Sequence, residues 1–419
     1  MGQGWRLRNL WSLLVVVVLA GCGGTFGGES HLVLHQDAPT EQEDAIEPEE
    51  GLEVAPPLVL RGTENERPTP PRAPTISFQP AFHQALRWSH YVGSLTTFRL
   101  RIPVGRAGER LKITFRSGDG SLSLQKATVA HAGLYGELEG TPVPLTFSGS
   151  PGFTVGARTR VTSDPVRFPV TFRDELYVSF EVRGELAASA INAFPDSFTR
   201  SGAYASTTEG FGGTSWQRAI GVATIEVEGT TGRTFLAIGD SITEGYMEVF
   251  SDTRDAWPSL VETQLGLPVV NAGVSGQGFW GVREYLDQEV LALSGITDCI
   301  ILLGTNDLGA VTDAEMQERM TSLLNRLQPF CRLWVSTLLP KEKTNYGSYE
   351  EVKAGRLAFN AWLRAQTRFQ LIDLEAVTRQ PGNVHLFIDG LEVDGIHPSP
   401  EGHRIMAAEV ARVLRARGP

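Results

Sequence analysis

The chain has 419 residues, long enough for two or three domains of ordinary size. A hydrophobic fraction of 41% excludes a wholly disordered or multi-span membrane protein. A net charge of −11, from 37 basic and 48 acidic residues, excludes a chain-wide nucleic-acid interface, which needs clustered Lys and Arg.

At the start, Arg6 and Arg8 precede an apolar run from Leu10 to Ala20. The run is too short for a bilayer-spanning helix, which takes about 20 residues, but it suits the apolar region of a secretory signal. It ends Leu19-Ala20-Gly21-Cys22, which resembles a bacterial lipobox. The resemblance implies that residues 1–21 are a lipoprotein signal peptide, with lipid on the Cys22 thiol and acylation of the new amino terminus. Two or more acyl chains anchor stably where one binds only marginally. The expected location is therefore a lipid-anchored one outside the cytoplasm: the outer membrane, the periplasmic side or the cell surface. Residues 22–74 then read as an acidic, Pro-rich tether. Eleven acidic residues stand against Arg61, Arg67 and Arg72, for a net 3 − 11 = −8, and such a stretch cannot bury enough apolar surface to offset chain entropy.

Residues 75–230 alternate apolar and polar positions. Phe98, Leu100 and Ile102 interleave with Arg99 and Arg101, and Leu176, Val178, Phe180 and Val182 with Tyr177, Ser179 and Glu181. Period two with polar outer faces, broken by Gly-rich turns such as Ser117-Gly118-Asp119-Gly120, predicts antiparallel sheets packed as a sandwich. From residue 231 to 419 the pattern becomes strand, helix, strand. Strands are predicted at 234–238, 269–271, 299–303, 333–337 and 370–373. Helices are predicted near 257–265, 281–293, 313–327 and 349–367, with a last one after Pro400. Strict alternation implies a parallel sheet with helices on both faces, complete without the preceding block. Deleting that block is therefore expected to leave a domain that folds.

Ligands of such a sheet bind outside the carboxyl ends of its strands. Gly239-Asp240-Ser241-Ile242-Thr243 follows the first strand, Asn271-Ala272-Gly273 the second and Gly304-Thr305-Asn306-Asp307 the third. Asp394-Gly395-Ile396-His397-Pro398 precedes the last helix. A serine hydroxyl needs a base to become a nucleophile. His397 can be that base, with Asp394 holding its Nδ1–H. A tetrahedral oxyanion needs preorganised donors, and the Ser241 and Gly273 N–H groups with the Asn306 amide are the candidates.

These four blocks resemble the SGNH (GDS-type) hydrolase family over about 234–414. The resemblance implies a flavodoxin-like three-layer α/β hydrolase domain, preceded here by an antiparallel β-sandwich (jelly-roll-like) domain. It implies a serine esterase working through an acyl-enzyme, with no cofactor and no metal. The earlier β block, with Ser163-Asp164-Pro165-Val166 and Trp216, looks more loosely like the accessory domain of some secreted bacterial members.

Gly276-Gln277-Gly278-Phe279-Trp280-Gly281 fits a dinucleotide fingerprint, but the acidic residue due at the end of the next strand is missing; it reads as a pocket-rim loop. Cys299 and Cys331 each open a strand, on strands expected to be neighbours. A disulfide is allowed outside the cytoplasm, adjacent parallel strands rarely offer its geometry, and cysteine is often simply buried. The pairing stays open.

Asp240, Glu244, Glu248, Asp252, Asp255, Asp307, Glu392 and Asp394 are expected around the site against Arg254. A cleft of one sign repels its own, so neutral substrates are expected. Phe250, Phe279 and Trp280 suit a sugar or a small acyl group better than a fatty chain. The reading is an esterase that prefers short acyl groups, acetyl to butyryl, on neutral alcohols, with carbohydrate the leading candidate. The partners expected are an ester substrate such as an acylated polysaccharide and a membrane through the lipid anchor, with no nucleic acid. A lipase, an acyltransferase with the same triad, or an adhesion lipoprotein with an inactive hydrolase domain are the alternatives.

Overall fold

Strands with one apolar face need a second layer to cover it, and residues 76–230 supply both layers. The computed structural model describes residues 75–192, 194–247 and 253–418. The signal peptide, Cys22 and the tether lie outside the described residues, as do Glu248, Phe250 and Asp252. The main antiparallel strands are β1 (Ile76–His83), β2 (Trp88–Pro103), β3 (Gly108–Ala132), β4 (Glu175–Asn192) and β5 (Val222–Thr230). They hydrogen-bond in the order β1-β5-β3-β4-β2. Strand β3 belongs to both layers: Arg110–Phe115 pair with β5, and Leu122–His131 pair with β4. Between the layers lie Leu111, Ile113, Phe115, Leu122, Val178, Phe180 and Val182, all fully buried. The region is an antiparallel sheet domain, consistent with a β-sandwich.

Two sequence expectations fail here for identifiable reasons. Ser117-Gly118-Asp119-Gly120 is not a turn: β3 runs through it with a register shift between Ser117 and Leu122. Extra residues on one strand bend it, and the bend carries β3 from one layer to the other. Gly118 permits this, because a Cβ there would lie 2.2 Å from Ser89 Oγ and 2.9 Å from the Leu186 carbonyl oxygen. Nor is the outer face of β2 solvated at Arg99. That side chain is fully buried, donating to Ser179 Oγ (2.9 Å) and the Thr207 carbonyl (2.7 Å), with its guanidinium 4.1 Å from the Phe211 ring. The 198–215 segment covers it.

In the second block, short apolar runs form a parallel sheet of β6 (Phe235–Gly239), β7 (Val269–Gly273), β8 (Asp298–Leu302), β9 (Arg332–Ser336) and β10 (Gln370–Ile372). Their order is β7-β6-β8-β9-β10, the flavodoxin-like 2-1-3-4-5 pattern, whose switch point opens at the end of the first strand. Helices α1 (Ser241–Glu244), α2 (Trp257–Leu265), α3 (Phe279–Tyr285), α4 (Asp313–Leu327), α5 (Tyr349–Arg364) and α6 (Pro400–Ala416) connect or close it. Met316, Met320, Leu323, Leu324 and Leu327 bury one stripe of α4, and Thr312 with Glu315 forms its capping box. Cys299 and Cys331 are bonded. Cys331 stands just before β9, outside the ladder that pairs Cys299 with Leu333, so its backbone is free of the parallel register.

The two blocks keep separate hydrophobic cores but are bonded to each other rather than strung together. Beyond β1, Gln84 makes a parallel bridge to Asn271, and Ala85 N–H donates to the Asn271 carbonyl at 3.1 Å. Ala85 packs in the hydrophobic core of the parallel domain. Glu289, buried at 1% exposure, ion-pairs with Arg116 and with Arg160 at 3.6 Å and lies 3.5 Å from Nε2 of His83, a ring that burial keeps neutral; all three come from the sandwich. Arg173 reaches Glu262 at 2.8 Å. A hydrolase block that folds alone would have to expose these groups, so this geometry opposes the expectation of a separable sandwich.

Candidate active site

Strand β6 is buried along its whole length and ends at the switch point. The chain turns at once into α1, with Asp240 as N-cap: its Oδ1 accepts the Ile242 N–H at 2.9 Å. Gly239 is required by closeness, since a Cβ there would lie 2.1 Å from Thr243 Oγ1. Ser241 thus opens a helix, where the first N–H groups have no intrahelical acceptor. Its own N–H meets no acceptor among the described residues.

The Asp394–His397 loop folds back on itself. Asp394 Oδ1 accepts the backbone N–H groups of Ile396 (3.0 Å) and His397 (2.8 Å), and Oδ2 lies 2.9 Å from His397 Nδ1. Burial pushes the Asp394 carboxyl up, but the hydrogen bonds from the His397 backbone and ring outweigh it and hold the group below its usual value. On its other side His397 Nε2 lies 2.8 Å from Ser241 Oγ. The carboxylate fixes the proton on Nδ1, which leaves Nε2 as an acceptor facing the hydroxyl. Such a chain can draw a proton from Ser241 as its oxygen attacks an electrophile.

A ring that sequence reasoning missed completes this wall: Tyr246 lies 4.3 Å, centroid to centroid, from His397. Behind it, buried His403 accepts the Trp257 N–H on Nδ1 at 3.1 Å, and burial holds its pKa down near 4. His403 is therefore neutral and holds the entry of α2 in place.

The oxyanion assignment needs one correction. The Gly273 N–H donates to Asn271 Oδ1 at 2.8 Å and is not available to a ligand. Gly273 serves close packing instead: a Cβ would lie 2.2 Å from the Glu244 backbone nitrogen. Three residues on, exposed Gly276 has φ +75°, and its N–H meets no acceptor among the described residues. Asn306 joins the same loop, donating one amide hydrogen to the Gln277 carbonyl at 2.9 Å and keeping the second. The signal for Gly276 was present in the Gly-x-Gly spacing read as a rim loop, but a sequence does not say where an N–H points.

The acidic rim also changes. Asp240, Glu244 and Asp307 are nearly fully buried, with 1–3% exposure, so they lie beneath the site rather than around it. Burial raises Asp240 to about 7 and Asp307 to about 6. Both lie near the buried Lys341, whose Nζ donates to the Thr305 carbonyl at 2.8 Å. Asp307 accepts the Phe279 N–H with both oxygens and so starts α3. Phe279 itself is core, while Trp280 is 59% and Tyr346 55% exposed. Among the described residues, no group of three His, Cys, Asp or Glu side chains could hold a metal ion.

Residues 237–405, which run from β6 into α6 and include this whole constellation, match the model of the GDSL-like Lipase/Acylhydrolase family. They form a GDSL-like domain. Solved structures similar to it include a lipase/acylhydrolase from Enterococcus faecalis, 23% identical over 44% of this chain and 97% of that one, with a TM-score of 0.37. A GDSL-like lipase from Bacteroides thetaiotaomicron is 19% identical over 44% and 89%, with a TM-score of 0.37. An acetylxylan esterase from Geobacillus stearothermophilus is 19% identical over 44% and 94%, with a TM-score of 0.35. No curated protein matches the chain. The GDSL-like domain thus begins in β6, the strand directly after the sandwich's β5, and the sequence between the two strands, 231–234, is too short to let them separate freely.

Proposed function

We propose that the GDSL-like domain is a serine esterase acting on short-acyl esters of neutral alcohols, with carbohydrate as the alcohol. The observation that carries this reading is the continuous hydrogen-bonded chain from Ser241 Oγ through His397 to Asp394. Ser241 Oγ attacks the ester carbonyl while His397 Nε2 takes its proton, and the Asp394 carboxylate stabilises the imidazolium. The negative charge moves to the carbonyl oxygen, where the Ser241 and Gly276 N–H groups and the free Asn306 amide hydrogen receive it. His397 gives its proton to the departing alcohol, which leaves an acyl-serine. Water, deprotonated by His397, then releases the acid and restores Ser241.

Two features support carbohydrate as the alcohol. Exposed Trp280 and Tyr346 offer flat ring faces, and Asn345 beside Tyr346 lies 3.4 Å from Asn306. On the sandwich, a groove lined by His90, Tyr91, Arg200, Thr214 and Trp216 sets rings beside hydroxyl-bonding groups, as a polymer bearing such esters would use. We further propose that Cys22 anchors the protein by lipid outside the cytoplasm, a reading that rests on the lipobox alone.

Nitrophenyl esters from C2 to C12 test the substrate: kcat/KM should peak between acetyl and butyryl, and a maximum at C8 or beyond rejects the short-acyl reading. A fluorophosphonate should label Ser241 in the wild type and nothing in Ser241→Ala. Cys22→Ser should move the protein from the membrane fraction to the soluble one with its hydrolysis of small esters unchanged.

A further inference from the structure

Glu244 closes α1 and is buried at 3% exposure, yet the triad does not use it. Its two carboxylate oxygens face different parts of the molecule. Oε2 accepts the backbone N–H of Ser275, the residue before Gly276. Oε1 accepts the hydroxyl of Ser189, which is buried at 2% exposure and belongs to β4 of the sandwich. A buried carboxylate is held where donors satisfy it, and losing one donor weakens that hold. The sandwich grips the same seam a second time. Ala85 N–H fixes the Asn271 carbonyl, and Asn271 Nδ2 donates to the Thr243 carbonyl at 2.9 Å while its Oδ1 takes the Gly273 N–H.

We infer that Ser189 is a positioning residue for ester hydrolysis. Through Glu244, the sandwich domain sets the Ser275-Gly276 backbone so that the Gly276 N–H faces the developing oxyanion. The inference rests on the esterase reading above. A backbone donor of this kind is useful only when it is aimed before the charge appears, because reorienting it during the reaction forfeits the gain. The sandwich is then part of the catalytic apparatus, not only an appended module. Ser189 touches no substrate; its effect passes through Glu244 to a loop on the far side of that carboxylate.

The test compares Ser189→Ala, Ser189→Thr and Ser189→Cys in the full chain. Thr keeps the hydroxyl, and Cys keeps the volume with a far weaker donor. With nitrophenyl acetate, kcat should fall about tenfold in Ser189→Ala, with KM within twofold and melting temperature little changed. Ser189→Thr should recover most of the rate, and Ser189→Cys should lie between. Hydrogen exchange supplies a readout independent of turnover. The Ser275 amide should exchange at least tenfold faster in Ser189→Ala, while amides of β6 keep their protection. Wild-type kcat in both Ser189→Ala and Ser189→Cys, or unchanged protection at Ser275, overturns the inference. Should Ser189→Ala fail to fold, the Ser189→Cys and Ser189→Thr pair decides it by the same two measurements. If the wild type hydrolyses no ester and Ser241 resists labelling, the esterase reading fails, and the exchange result alone judges whether Ser189 holds the loop.

Discussion

Asp240 and Ser241 are neighbours in sequence with different tasks: the Ser241 hydroxyl meets the His397 ring, while the Asp240 carboxyl is enclosed beneath it. Asp240 Oδ2 is buried without a hydrogen-bond partner, and burial lifts the carboxyl from 3.8 to about 7. A folded-state value above the unfolded one means that the folded chain holds its proton longer. The stabilisation is complete below pH 3.8 and is lost as pH rises through about 7. Asp240→Asn keeps a capping oxygen and cannot ionise. It should therefore match the wild type in stability near pH 3.8, gain on it up to about pH 7, and hold a constant advantage above. Urea unfolding across that range checks this, and a constant difference at every pH rejects it. Asn306→Ala should cost on the order of 3 kcal/mol in the barrier, roughly a hundredfold or more in kcat; a near-normal kcat removes Asn306 from the oxyanion site. That Ser241, His397 and Asp394 meet was legible in the sequence, because the serine follows a strand and the Asp-x-x-His pair shares one loop before the last helix. The backbone donor was not. Gly273 and Gly276 are the same letter, and only the Asx turn at Asn271 decides which N–H is occupied.

Element by element, the parallel domain follows its hydrophobic pattern closely, with α2 and α4 spanning 257–265 and 313–327 as read. Strands there are short apolar runs bounded by caps and glycines, so local signals suffice. The sandwich is harder, since β3 is 25 residues long and changes layer at a stretch that looks like a turn. Nothing local separates a Gly-rich bulge from a Gly-rich turn. Arg99 poses the same difficulty, because the segment that covers it lies about a hundred residues further along the chain. The link between Cys299 and Cys331 closes a loop with a sequence separation of 32, spanning α4. Removing a loop closure of that length should cost roughly 3–4 kcal/mol through the unfolded state. The paired substitution Cys299→Ala with Cys331→Ala should lower the unfolding midpoint accordingly, and reduction of the wild type should reproduce it. A midpoint insensitive to reductant would mean that the two thiols are not joined in the folded protein.

At the scale of the whole molecule, the charges at the junction matter more than the net −11. Glu289 is surrounded by Arg116, Arg160 and His83 of the sandwich, and stripping a buried carboxylate of its partners costs several kcal/mol. Arg116→Ala should thus destabilise the chain by about 3 kcal/mol, far beyond the loss of an exposed arginine. Residues 231–419 expressed alone should melt well below the intact protein; equal melting temperatures would show the junction to be incidental. The failure of that fragment has a specific form. Strand β7 is an edge of the parallel sheet, and Gln84 and Ala85 occupy part of its open side. Unpaired strand edges recruit strands from other molecules. The sandwich therefore covers part of that edge, and a chain clipped before β6 should expose it and grow by adding copies of itself, strand upon strand.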